Sequence, residues 1–216
     1  MIKINPKVRN VMEWVLCIFV AIILALLFRH FIGTPTVVKQ PSMETTLMPN
    51  DRLILNRWVA TVHGKLNRGD IITFESPTKT FISFADADMN NPVAVYDYNP
   101  TGFWEKFGYY FLENGKISFI KRVIGLPGEH VEIKDGSVYI NGEKLQEDYL
   151  DQGVITDSAE GGAFLDLVVP EGCIYVLGDN RKASTDSRRF GCVPISRVES
   201  KVLFRFWPLN KFGKVK

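Results

Sequence analysis

Hydrophobic positions along the chain fall into two regimes. Val11 to Ile32 reads VMEWVLCIFVAIILALLFRHFI, and its interior, VLCIFVAIILALLF, is unbroken by any polar side chain. Wound as a helix, those 22 residues span about 33 Å, enough for the hydrocarbon core of a bilayer. Glu13, Arg29 and His30 lie near its ends, where side chains reach headgroups, and Trp14 suits an interface. A cleaved export signal would need small residues after Phe28, whereas RHFIGT offers large ones, so the run reads as an uncleaved anchor. Lys3, Lys7 and Arg9 before it, against Arg29 and Lys39 after it, favour a cytoplasmic N-terminus.

From Asp51 the period changes. DRLILNRWV, GDIITFES, KISFIKRVIG, EHVEIKDGSVYINGEKL, CIYVLGD and KVLFRF are short β-rich runs between turn signals. Asp135-Gly136 and Asn141-Gly142 are hairpin turns, since both pairs accept positive φ. One segment departs: Phe103, Trp104, Phe107, Tyr110 and Phe111 recur at helical spacing, predicting an amphipathic aromatic helix. It either packs on the sheet or rests on lipid. The expected organisation is a tail over 1–10, an anchor over 11–32 and a mainly β, antiparallel domain over 33–216. Within that domain, 81–118 is an inserted segment.

Composition narrows the classes. A net charge of +2 with no basic stripe gives no reason to expect nucleic acid. No His, Cys or carboxylate cluster has metal-ligand spacing, so neither a metal nor a cofactor is expected. Three cysteines make no disulfide framework; Cys17 lies in the apolar run, and Cys173 and Cys192 read as buried thiols rather than a pair.

The chemistry turns on KQPSMETTLMPND, residues 39–51, where Ser42 stands between Pro41 and Met43. A serine hydroxyl is a poor nucleophile until a neighbour takes its proton. His30, His63 and His130 read as boundary or surface residues without a triad carboxylate. A lysine can serve if desolvation lowers its pKa. In ISFIKRVIG, alternation puts Ile117, Phe119, Lys121 and Val123 on one face, so Lys121 shares an apolar row; a lysine at a sheet rim is the alternative. The polar stretch LGDNRKASTDSRRFG, residues 177–191, lies between apolar flanks and is expected to be held against the core.

In this order, the anchor, PSMETTL, GDIITF, KRVIGLPGE and GDNRKASTDSRRFG resemble type I signal peptidases. The resemblance implies a β catalytic domain outside the cytoplasmic membrane and a Ser–Lys dyad acting on signal-peptide-bearing preproteins beside membrane lipids. Carried over by position, Ser42 is the nucleophile and Lys121 the general base. Ser184 would hydrogen-bond the lysine amine, Asp186 and Arg188 would brace the loop, and Met43 would help line the substrate groove. The chain departs from the family pattern at Gln40, where a small residue or serine is usual, and at Thr45, where proline is. Gln40 is the candidate second oxyanion donor, its side-chain NH₂ replacing a hydroxyl. The departures also motivate a rival reading, a non-catalytic assembly factor for surface or pilus proteins. A self-cleaving Ser–Lys protease is a weaker match, since such proteins carry a DNA-binding domain in place of an anchor.

Overall fold

A computed structural model describes residues 6–31, 34–58, 64–110 and 116–215. The first element, α1, runs Pro6–Phe31, five residues earlier than the apolar run begins. Proline opens it at no cost, because the first N–H groups of a helix have no partner within it. Arg9 and Glu13, one turn apart, pair at 3.7 Å and offset each other's charge at the polar end. Beyond them Trp14, Val15, Leu16, Ile18 and Phe19 are all exposed, so none of the described residues covers this stretch of the helix. It is long and apolar enough to cross a membrane.

The rest is antiparallel β structure. The strands are β1 (Thr34–Val37), β2 (Arg52–Asn56), β3 (Ile71–Glu75), β4 (Ser118–Gly125), β5 (His130–Lys134), β6 (Ser137–Ile140), β7 (Glu143–Lys144), β8 (Asp166–Val168), β9 (Cys173–Leu177), β10 (Val193–Pro194) and β11 (Val198–Trp207). Among the described residues they form one sheet in the order β1-β2-β11-β3-β4-β9-β10 and a smaller one in the order β7-β6-β5-β8. Both edges of the large sheet carry a proline, Pro35 in β1 and Pro194 in β10. Proline cannot donate to a ladder and is tolerated at an edge, where it also blunts pairing with another chain.

The two turns predicted from Asp-Gly and Asn-Gly connect β5 to β6 and β6 to β7. Asp135, Gly136, Asn141 and Gly142 have φ of 49°, 73°, 51° and 84°, the positive values that such tight hairpins require. Two short α-helices, α2 (Phe103–Tyr110) between β3 and β4 and α3 (Ser187–Phe190) between β9 and β10, and single 3₁₀ turns over Pro41–Met43, Ile195–Arg197 and Leu209–Lys211 complete the described elements. A helix forms over the first part of the aromatic segment, while Phe111 and the side chain of Tyr110 lie outside the described residues.

The core is divided by the sheets. Ile72, Phe74, Val123, Val176 and Phe190 pack on one side of the large sheet's centre. Val131, Val138, Leu167, Tyr175 and Cys192 join the small sheet to the large one. Val38, Met43, Leu47, Leu53, Leu55, Ile71 and Val202 fill the space beneath the turn that carries Ser42. Cys173 and Cys192 are buried free thiols, and burial pushes the pKa of both upward, which keeps them inert.

Candidate active site

Local sequence sets the Ser42 turn. The residue before a proline is confined to extended backbone, and Gln40 has φ −107° and ψ 149°. Pro41 then fixes φ for a single 3₁₀ turn over Pro41–Met43, closed by Glu44 N–H donating to Pro41 O at 3.1 Å. The loop of residues 178–191 clamps this turn from outside. Asn180 N–H donates to Ser42 O at 3.1 Å, and its side-chain amide donates to Pro41 O at 3.1 Å. A Cβ on Gly178 would lie 2.4 Å from Ser42 O and 2.2 Å from Ser184 Oγ, so only glycine lets the two segments approach this closely.

Strand β4 delivers the lysine. Lys121 pairs with Ile72 across the ladder and is 1% exposed. Its Nζ donates to Ser42 Oγ at 2.8 Å and to Ile120 O at 3.1 Å. Burial lowers its pKa from 10.5 to about 8, against the opposing fields of Asp186 and Asp179 and with slight help from Arg188. Once its proton is gone, the same geometry lets the serine hydroxyl donate to the amine lone pair. The apolar row predicted around the lysine holds only in part. Phe119 lies with its ring 5.2 Å from Nζ and Val123 is fully buried, but Ile117 is 66% exposed and precedes the strand.

The supporting residues divide. Asp186 and Arg188 are both fully buried and meet in a fork of two 2.8 Å hydrogen bonds. Burial would raise the Asp186 pKa, but the hydrogen bonds and charge of Arg188, with Gly178 N–H donating at 3.1 Å, hold it low. Arg188 also donates to Arg181 O at 2.8 Å, which folds the loop onto itself. Ser184, expected on the lysine amine, has a buried hydroxyl that makes no hydrogen bond to Lys121; it instead helps to hold the Asp186 pKa low, without completing a well-formed hydrogen bond there. The amine already points at Ser42 Oγ and at its own strand's carbonyl. Met43 requires a second correction. It is fully buried in the cluster beneath the turn, so it supports Ser42 from behind and offers no surface to a groove. Gln40 is exposed, and its side chain makes no hydrogen bond among the described residues.

Sequence reasoning missed a second buried ion pair. Arg122, next to the lysine, donates to Asp179 at 2.9 and 2.6 Å, and both side chains are almost wholly buried. Arg122 Nη2 also reaches Thr46 Oγ1 at 3.4 Å, which joins β4, the 178–191 loop and the segment after Ser42. An arginine on the face opposite Lys121 and an aspartate after an apolar strand were the available signals. His130 is surface-exposed and pairs with Asp166 at 2.6 Å, away from Ser42. His63 and the side chain of His30 lie outside the described residues.

A serine and a neutralisable lysine in contact, buried and braced by ion pairs, can perform acyl transfer without a metal. Comparison with known proteins points the same way. A family model described as signal peptidase, peptidase S26, matches residues 11–207. The chain is 34% identical to signal peptidase I of Bacillus licheniformis, with 98% of this chain and 97% of that protein covered. It is 33% identical to signal peptidase I T of Bacillus subtilis, covering 98% and 93%. To signal peptidase IB of Staphylococcus aureus it is 31% identical, covering 94% and 93%. A crystal structure of a signal peptidase I from Enterococcus faecalis aligns with a TM-score of 0.40 and 32% identity over 63% of this chain and 96% of that one. The family match begins inside α1, ends at the last residue of β11 and takes in Ser42, Lys121 and the whole clamping loop, so the chain belongs to the signal peptidase family, peptidase S26.

Proposed function

We propose that the chain is a membrane-anchored serine endopeptidase that removes signal peptides from exported preproteins, with Ser42 as nucleophile and Lys121 as general base. The observation that carries this is the 2.8 Å contact between a buried lysine amine and the serine hydroxyl. A pKa of about 8 lies close to the range of roughly 7–8 to which general-base lysines are tuned. Neutral Lys121 accepts the Ser42 proton as Oγ attacks the scissile carbonyl. The resulting ammonium protonates the departing amine of the mature protein and leaves an acyl-enzyme. Water then attacks the ester, its proton passing to the same lysine, which returns it to Ser42 Oγ as the ester bond breaks and the signal peptide leaves with a free carboxylate. Asp186 and Arg188 act as positioning residues that hold the loop against the Ser42 turn. The Ser42 N–H is the nearest backbone oxyanion donor, and Gln40 supplies the second from its side-chain NH₂.

The anchor places the site where preproteins are still held in the membrane, which raises their local concentration. The N-terminus lies in the cytoplasm and the catalytic domain outside. The rival reading as a non-catalytic assembly factor draws no support from the relatives, and a lysine buried against a serine is a costly arrangement for a purely structural role. Cleavage of a labelled preprotein should fall by at least about 10³-fold in both Ser42→Ala and Lys121→Ala, with the fold intact by circular dichroism. Substantial turnover by both folded variants would overturn the assignment.

A further inference from the structure

Helix α2 takes no part in the chemistry at Ser42, yet it presents large rings to solvent. Phe103 and Trp104 are 74% and 79% exposed, and their rings meet edge to face at 5.3 Å. Phe107, half-buried, continues the row inward, its ring 6.4 Å from that of Trp104. The opposite side of the helix is pinned. Tyr109 is buried, with its ring 5.0 Å from Tyr98 and the Lys116 ammonium 5.1 Å above it. Lys116 in turn pairs with Glu199 of β11 at 2.7 Å. Single exposed apolar residues are ordinary, but a row of rings on a helix fixed by its other face marks a contact surface.

Strand register shows which end of the large sheet carries it. Thr34 pairs with Leu55, Asn56 with Lys201, Val198 with Phe74, and Glu75 with Ser118. The end at which the chain arrives from α1 is therefore the end at which it leaves β3 for α2 and returns to β4. Trp58, just past β2, lies at that end too and is 53% exposed. Charges around the rings are arranged to match. Glu105 is turned back onto Thr101 N–H, Gly102 N–H and the Tyr98 hydroxyl, while the exposed Lys106 amine makes no contact among the described residues.

We propose that α2 is a second membrane contact, with Phe103, Trp104 and Phe107 seated at the headgroup–acyl boundary of the bilayer that α1 crosses and Lys106 reaching a lipid phosphate. Aromatic rings with an apolar body suit that boundary, and an amphipathic helix lies in it without spanning. One spanning helix leaves the domain free to turn about its tether. A contact on α2, which precedes the lysine-bearing strand β4 in the chain and lies at the same end of the sheet as α1, fixes the height and tilt of Ser42 above the membrane. The proposal rests on α1 being inserted, and it is independent of the roles of Ser42 and Lys121.

The full chain, reconstituted in vesicles of phosphatidylcholine and phosphatidylglycerol, supplies the test. Phosphatidylcholine brominated near the headgroup or near the chain end quenches tryptophan emission by depth. Trp104→Phe should lose quenching relative to wild type with the shallow bromines and little with the deep ones, in a Ser42→Ala background as well. Trp14→Phe reports separately on α1. Equal quenching of Trp104→Phe and wild type overturns the proposal, as does a chain whose Trp14 also gives no signal. A Trp104 response that appears only on adding preprotein, or only as protein concentration rises, assigns the rings to substrate or to a second copy and equally overturns it. The double variant Phe103→Ser, Trp104→Ser should slow preprotein processing in vesicles while cleaving a short soluble peptide in detergent at the wild-type rate.

Discussion

At the scale of single residues, the burial of Lys121 bears on stability and, on the function proposed above, on activity. Its ammonium is disfavoured in the folded state, so the folded pKa of about 8 lies below the unfolded value near 10.5. Between these values the unfolded chain binds the proton and the folded one does not, so stability rises with pH across that window. Below about pH 8 both states are protonated, and the buried charge costs on the order of 3 kcal/mol. Lys121→Met should therefore raise stability at pH 6–7 by up to about 3 kcal/mol and flatten its rise between pH 8 and 10.5, read by urea unfolding. Loss of stability at neutral pH would show that the amine's hydrogen bonds outweigh its desolvation. Activity in wild type should climb through the same pKa of about 8. Phe119→Ser admits water beside the amine and should move that climb to higher pH; an unmoved profile in a folded variant would assign the burial to other neighbours. Gln40→Ala tests the oxyanion reading, with kcat expected to fall on the order of 10²–10³ at nearly constant KM, and near-full kcat making Gln40 a spectator.

At the scale of elements, the site is two segments pressed together. The single 3₁₀ turn at Ser42 has little structure of its own, and its carbonyls are held by Asn180 across a gap that only Gly178 permits. Gly178→Ala must displace the turn or the loop, and a shift near 1 Å in a reacting group costs about 10²-fold in rate. We expect kcat to fall by that order, with a stability loss of roughly 1–3 kcal/mol for the overpacking. Unchanged kcat would mean that the two segments separate without moving Ser42. This dependence on contact explains what was legible in the chain. Long alternating runs and the Asp-Gly and Asn-Gly turns predict β2 to β7, β9 and β11, because their signals are local. Strands β1, β8 and β10 escaped because four, three and two residues carry no period, and prolines in β1 and β10 argue against strands until their edge positions are known. Among site residues, the burial of Lys121 followed from its strand. The Arg122–Asp179 pair depends on segments meeting across 57 residues, and the inward course of Met43 and the placing of the Ser184 hydroxyl away from the lysine depend on how the turn and the loop pack, which no local pattern encodes.

At the scale of the whole molecule, function depends on the side of the membrane on which the sheet lies. Helix α1 is symmetric in its apolar interior, so orientation must come from its flanks. Lys3, Lys7 and Arg9 lie before that apolar interior, and Arg29 and Lys39 after it, a bias of three cations to two. Acidic residues contribute little to this choice, so Glu13 does not cancel Arg9 for the purpose, although the two pair at 3.7 Å. A small bias is enough only if the following domain does not resist transfer, and long domains translocate largely regardless of charge. We therefore expect the N-terminus to be cytoplasmic and residues after Gly33 to lie outside, where cleavage of exported preproteins takes place. Protease added to intact spheroplasts should digest the large domain, and full protection until lysis would reverse the topology. Because the margin is narrow, replacing Lys3, Lys7 and Arg9 by Gln should produce a mixed population. The protected fraction should rise, preprotein processing should fall in proportion, and the solubilised enzyme should cleave peptide at the wild-type rate.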